Sequence, residues 1–369
     1  MQHDDLQNKL ERQYFGYRTS PNFSFLSFNL SLFRRLAQEQ LGSNWMALSY
    51  HLHEGHLSIA MLTQNNCHCW QRDITGSHFL NSLKQKQFEL LNKGDLQIIS
   101  QWLLPQECHR HLTPSTTLVI IPHRQLHQLP WATLPIKKEQ IPLINLCNLT
   151  IIPSLQSLTL LWQRAAPTKP KPSNGLFIGI SMFQNRRHPQ LPASKYEINK
   201  LLQELSINCV SLLEQEATLV ALQLMAKESN LGEFDVLHIA SHAFYDRTTG
   251  RSSGLALADK DIWLNEFAEL APLPPLVTLS ACSSVRSFVY EGDEHVDLPT
   301  TCLGAGAQSI VGSIWPVQDG ATLQLMIDFY KHWEKGERVA SALAMAQRMA
   351  WKRNEPWQNW GGFVCIGQP

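Results

Sequence analysis

The rhythm of apolar and polar positions changes partway along the chain. Over residues 45–53 and 56–63 two strands flank Glu54-Gly55, which reads as a hairpin, with a third short strand predicted at 67–72. Helical spacing follows over 79–91 and 95–104, and 117–122 is a continuous apolar run, the pattern of a strand covered on both faces. Residues 129–135 are bounded by prolines, 149–152 reads as another strand and 154–163 as a helix. Residues 165–173, with three prolines, are the clearest linker, extended and semi-rigid. Beyond it strand and helix alternate. Strands are predicted at 176–180, 209–213, 236–240, 276–279 and 308–314, and helices at 194–205, 218–227, 298–305, 319–333 and 338–351. Ser194 stands three residues before Glu197, so a capping box is expected to open its helix. Alternation of this kind requires crossover connections and a mainly parallel α/β sheet.

Residues 1–44 read as an extension. A weak helix is expected over 4–14, phenylalanine alternates with polar residues over 22–28, and 29–41 is an amphipathic helix. Leu32, Phe33, Leu36 and Leu41 share one side of it and Gly42 stops it. That stripe must bury itself against the body or a partner.

Composition narrows the function. Lys plus Arg equals Asp plus Glu at 31 each, so no net charge recruits nucleic acid or an anionic membrane. The first residues lack the apolar core of a signal peptide, and no stretch approaches the roughly 20 apolar residues that span a bilayer. The 8 cysteines are scattered without a disulfide rhythm, so a reduced, cytoplasmic protein is expected. Cys67, Cys69, Cys108, His109 and His111 fit no usual zinc spacing, and there is no Walker loop or dinucleotide fingerprint. Neither metal nor cofactor is expected.

Two strand ends carry the candidate chemistry. Pro274-Pro275 precede the aliphatic run Leu276-Val277-Thr278-Leu279, and Ser280-Ala281-Cys282 follow it. Upstream, Val236-Leu237-His238-Ile239-Ala240 leads into Ser241-His242-Ala243. Open α/β sheets place their ligands at the carboxyl ends of strands. A strand-end His and a strand-end Cys form the pair a cysteine peptidase needs, provided the two strands are neighbours. His242 would take the thiol proton and Cys282 would attack a carbonyl; His238, deeper in its strand, reads as structural. Asp319 begins a helix and most simply caps it.

These motifs, with Ser313-Ile314-Trp315-Pro316-Val317-Gln318-Asp319, resemble the CHAT family, caspase-like domains often attached to tetratricopeptide repeats. The similarity runs in order over roughly residues 45–369 and takes in Leu126-His127-Gln128-Leu129-Pro130-Trp131, Pro153-Ser154-Leu155, Leu191-Pro192 with Glu197, and Trp360 with Phe363-Val364. It implies a caspase-like α/β fold, a mainly parallel central sheet flanked by helices. Residues 45–165 are then an inactive related half and 166–369 the active peptidase half, behind the helical extension 1–44. It implies His242 and Cys282 as the catalytic dyad and the backbone N–H groups of Ala243 and Cys282 as oxyanion donors. Ser283, Asp246, Trp315 and Asp319 are candidates for the substrate pocket, with Trp315 as a wall. The chain departs from the family at Ala243, where glycine is usual, and at Ser283, where Glu or Gln is usual. No tetratricopeptide array is present, so a regulatory or activating protein in trans is expected to act beside a protein substrate. The loops 243–251 and 283–297 carry five acids, Asp246, Glu291, Asp293, Glu294 and Asp297, against Arg247, Arg251 and Arg286, which disfavours an aspartate before the cut. The expected function is a cysteine endopeptidase. A catalytically silent interaction module is the chief alternative, and a thiol-dependent acyltransferase a distant one.

Overall fold

The continuous apolar runs become the inner strands of one sheet. The computed structural model describes residues 28–83, 87–136, 139–164, 171–185, 187–228, 231–244, 254–280, 285 and 297–369. In chain order the strands of the first segment are β1 (Trp45–His53), β2 (His56–Thr63), β3 (Cys67–Asp73), β4 (Thr117–Ile121), β5 (Pro135–Ile136), β6 (Ile141–Pro142) and β7 (Asn148–Ile151). After the linker come β8 (Asn174–Gly179), β9 (Asn208–Leu213), β10 (Val236–Ala240), β11 (Ala243–Phe244), β12 (Gly254–Ala256), β13 (Asp261–Trp263), β14 (Leu276–Ser280), β15 (Ser309–Ser313) and β16 (Phe363–Gly367). An 11-stranded sheet runs β3-β2-β1-β4-β7-β16-β15-β14-β10-β8-β9. The joins β3–β2, β2–β1 and β16–β15 are antiparallel. Every other join in it is parallel. The α/β reading with a mainly parallel sheet therefore holds. β11, β12 and β13 form a separate 3-stranded ribbon and β5 pairs with β6.

Burial explains why the inner strands are apolar on both sides. Every residue of β4, β10, β15 and β16 is buried. Along β10, Val236 and Ala240 join a cluster with Phe177, Leu325, Phe329 and Tyr330, so that face packs on the helix Asp319–Trp333. Leu237 and Ile239 join the opposite core with Leu222, Phe267 and Leu303. Sandwiching of this kind is what a parallel sheet requires, because crossover helices cover both faces.

One sheet passes through both segments: Ile366 of β16 pairs with Ile151 of β7. Two arginines tie the segments further. Arg348 donates to the carbonyls of Ile144 (2.7 Å) and Cys147 (2.9 Å), and Arg164 donates to those of Leu303 (2.8 Å) and Ala307 (2.7 Å).

Three expectations need correction. The capping box at Ser194 and Glu197 does not form. Proline at the first helical position starts the helix at Pro192 (Pro192–Glu204), so Ser194 lies inside it and bonds back to the Leu191 carbonyl at 2.8 Å, while Glu197 turns into the core. Asp319 is the first residue of its helix rather than the cap; Gln318 holds that place and makes no side-chain cap. The apolar stripe of the first described helix, Leu30–Leu41, takes the first of its two expected outcomes and packs on the body. Asn29 caps that helix, and Phe33, fully buried, lies 5.6 Å from the ring of Trp45 and 5.5 Å from that of Trp162. Phe33→Ala is expected to cost about 3–5 kcal/mol, read as a lower unfolding midpoint by calorimetry. The helix expected at 79–91 is shorter, His78–Leu83, with a separate 3-10 turn at Phe88–Leu90. The expected helix at 4–14 and most of the linker lie outside the described residues.

Candidate active site

Parallel strands bring their carboxyl ends to one edge of the sheet, and the candidate residues gather there. β10 and β14 are direct neighbours, with Ala240 opposite Ser280. His242 stands two residues past Ala240, and Cys282 two residues past Ser280. Cys282 itself lies outside the described residues, as do Asp246 and Ser283. The nearest described residues on either side, Ser280 and Val285, each make a hydrogen bond. Ser280 Oγ donates to Glu197 Oε2 at 2.9 Å, and the Val285 N–H donates to the Ser313 carbonyl at 3.3 Å.

His242 is held by backbone. Ser241, fully buried, donates its hydroxyl to the Ala256 carbonyl at 2.5 Å, and the Ala256 N–H donates to the His242 carbonyl at 2.9 Å. This pair opens the β11–β12 ladder, in which Ala243 faces Leu255. Antiparallel ladders alternate hydrogen-bonded and open pairs, so the Ala243 N–H points away from β12. The His242 ring is half-buried, 5.1 Å from Phe183 and 5.8 Å from the His188 ring, with Nε2 2.8 Å from the Pro189 carbonyl. A carbonyl only accepts, so Nε2 carries the proton and Nδ1 is the basic nitrogen.

A cleft opens beside it, lined by Glu197, Ser241, Ser280, Ser313, Trp315 and Asp319 among others. Trp315 is both core and wall. It is buried, donates Nε1 to the Gln358 carbonyl at 2.9 Å and meets Trp357 edge-on at 5.6 Å. Gly362 permits that placement, because a Cβ there would lie 2.6 Å from the indole. Gly362→Ala is expected to push the indole off its carbonyl and cost about 1–3 kcal/mol, seen as altered tryptophan fluorescence and a lower unfolding midpoint.

Behind the cleft lies a buried polar chain that the sequence reading missed. Tyr330 donates to Thr278 Oγ1 at 2.9 Å and lies 2.9 Å from His238 Nδ1. Burial pushes the Tyr330 phenol well above its ordinary value, so it stays a donor to Thr278 and His238 Nδ1–H donates to it. His238 Nε2 and Glu197 Oε1 lie 3.2 Å apart, off the line of a hydrogen bond. The signal for Glu197 was its place on the buried helix face with Ser194, Ile198 and Leu201. The loop carrying Phe183, His188 and Pro189 left no periodic signal.

Thiols elsewhere are poor nucleophiles or lie far off. Burial pushes Cys108 and Cys365 up to about 12, and Cys147 and Cys302 higher still. Cys67 and Cys69 sit on β3, an outer edge of the sheet.

The CHAT domain matches residues 93–368. The chain belongs to the CHAT domain family. Its fold is caspase-like. Saccharomyces cerevisiae separase, solved in complex with securin, superposes on this CHAT chain with a TM-score of 0.58 at 12% identity, over 92% of this chain and 31% of that one. The chain therefore spans under a third of the separase chain it matches. The RgpB pro- and mature domains of Porphyromonas gingivalis give a TM-score of 0.47 at 11% identity, over 75% of this chain and 69% of theirs. Caspase-1 from Spodoptera frugiperda gives 0.33 at 13%, over 50% and 81%. No curated protein sequence matches the chain. Among the described residues, no helix is long and apolar enough to cross a membrane.

Proposed function

We propose that the chain is a cysteine endopeptidase that cuts a protein partner, with His242 as general base and Cys282 as nucleophile. The observation that carries this reading is the register of β10 on β14, with His242 and Cys282 each two residues beyond the paired Ala240 and Ser280. His242 Nδ1 takes the thiol proton as sulfur bonds to the scissile carbonyl carbon. The N–H groups of Ala243 and Cys282 receive the oxyanion. The carbon–nitrogen bond then breaks, the imidazolium returns its proton to the leaving amine, and water hydrolyses the thioester through the same base.

The cleft beside His242 takes the side chain before the cut, with Trp315 as its wall and Asp319 at its mouth. Regulation by a protein in trans belongs to the proposal, and the separase chains of this fold are themselves complexed with securin. The stripe on Leu30–Leu41 is not its seat, being packed on the body.

A peptidyl acyloxymethyl ketone tests the reading. Covalent labelling mapped to Cys282, lost in His242→Ala, is the expected result. A full chain that is never labelled, alone or with neighbour-encoded proteins, overturns it in favour of a silent interaction module.

A further inference from the structure

We infer that Asp261 and His188 form a positioning pair for His242, fixing its tautomer and direction from outside the strand that bears it. The inference rests on His242 being the base. Asp261, on β13, spends both carboxylate oxygens on one loop: Oδ1 lies 2.7 Å from His188 Nε2, and Oδ2 accepts from Asn185 Nδ2 at 3.2 Å. The pair is mostly buried, its side chains 12% and 16% exposed.

The same loop reaches His242 in three ways. The Phe183 ring lies 5.1 Å away, the His188 ring stacks at 5.8 Å and 23°, and the Pro189 carbonyl takes the Nε2–H at 2.8 Å. Pro189 is exposed and has no N–H of its own, so its carbonyl is aimed by its neighbours. At the base of the loop, the Ser181 and Met182 N–H groups both donate to Glu214 Oε2 at 3.2 Å, and the Leu191 N–H donates to the Ser181 carbonyl at 2.9 Å. Asp261 anchors its far part. That anchor belongs to the ribbon whose first strand, β11, continues directly from His242. Imidazole and acceptor are thereby referred to one frame. Releasing His188 frees the Pro189 carbonyl, and the ring is then able to turn or to exchange tautomers.

The test reads the ring itself. In the full chain with 15N-labelled histidine, the His242 signals are those lost in His242→Ala, and they show Nε2 protonated and Nδ1 bare. In His188→Ala and Asp261→Ala they are expected to move to a mixture of tautomers. Alkylation of Cys282 by the acyloxymethyl ketone is expected to slow about 10- to 100-fold at saturation, with the half-saturating concentration within about twofold. His188→Gln, whose amide still donates to Asp261, is expected to regain most of the rate. Should Asp261→Ala not fold, Asp261→Ser, whose hydroxyl is one bond too short to reach His188, gives the same comparison. Unchanged His242 signals in folded variants overturn the inference. So does a loss in His188→Gln equal to that in His188→Ala, or one confined to the half-saturating concentration. If instead His242→Ala is alkylated as fast as the unaltered chain, the assignment of the base fails, while the ring signals still report whether the pair holds His242.

Discussion

Cys282→Ala and His242→Ala are each expected to lower kcat/KM by about 10⁴-fold or more, with the double variant losing little beyond either single one. Both groups act on the same proton, so removing one strands the other. A deficit of 10⁴ corresponds to about 5.4 kcal/mol of transition-state stabilisation, more than any single contact in the cleft is able to supply. Neither change should unfold the chain. His242 is half-buried beyond the end of β10, and the bonds that fix its backbone come from Ser241 and Ala256 rather than from the imidazole. The measurement is peptide hydrolysis beside an unfolding midpoint for each variant. Full hydrolysis by Cys282→Ala removes the nucleophile assignment. Equal losses that track a collapsed midpoint remove the evidence for catalysis.

The strands that frame the site were legible because their sequences admit one reading. Val236–Ala240 and Leu276–Ser280 are short and apolar and are bounded by small residues or prolines, and both are interior strands of the sheet, buried except for Ser280. Their adjacency is a different kind of fact. It follows from the crossover order of β10, β14 and β15, and the resemblance to the CHAT family supplied it before the structure did. Glu197 was misread because Ser-x-x-Glu is the spacing of a cap. Pro192 begins the helix two residues earlier than Ser194, and the carboxylate is thereby turned toward His238 and Ser280. Amphipathic spacing said that Phe33 is buried but not against what; Trp45 and Trp162 answer that only in three dimensions. His188 and Asp261 lie 73 positions apart, joined by loop geometry that has no periodicity to read. The charge balance drawn from residues 243–251 and 283–297 falls mostly outside the described residues. Any statement on specificity therefore rests on the cleft.

Peptides with arginine or lysine before the scissile bond are expected to be cut about 100-fold more efficiently than those with aspartate. Two carboxylates, Glu197 and Asp319, line the cleft, and no Lys, Arg or His is among its described lining residues. An aspartate side chain entering there leaves water, meets like charge and finds no cationic fork, a combination that costs several kcal/mol. About 2.8 kcal/mol already amounts to a hundredfold. His238 is fully buried and absent from the cleft lining, so within the cleft the Glu197 carboxylate is the nearer pole. Trp315 gives an apolar side chain somewhere to lie, which places leucine and methionine between the two extremes. Asp319 is exposed, so solvent screens it, and Asp319→Asn is expected to shrink the arginine-to-leucine ratio only about threefold. Glu197→Gln is expected to shrink it further, at some cost to the rate on every substrate, because Ser280 loses its charged acceptor. A positional scanning library, read as kcat/KM for each residue before the cut, decides the matter. A library in which aspartate leads would mean that a cation from outside the described lining reaches the cleft, and the acidic-pocket reading would fall.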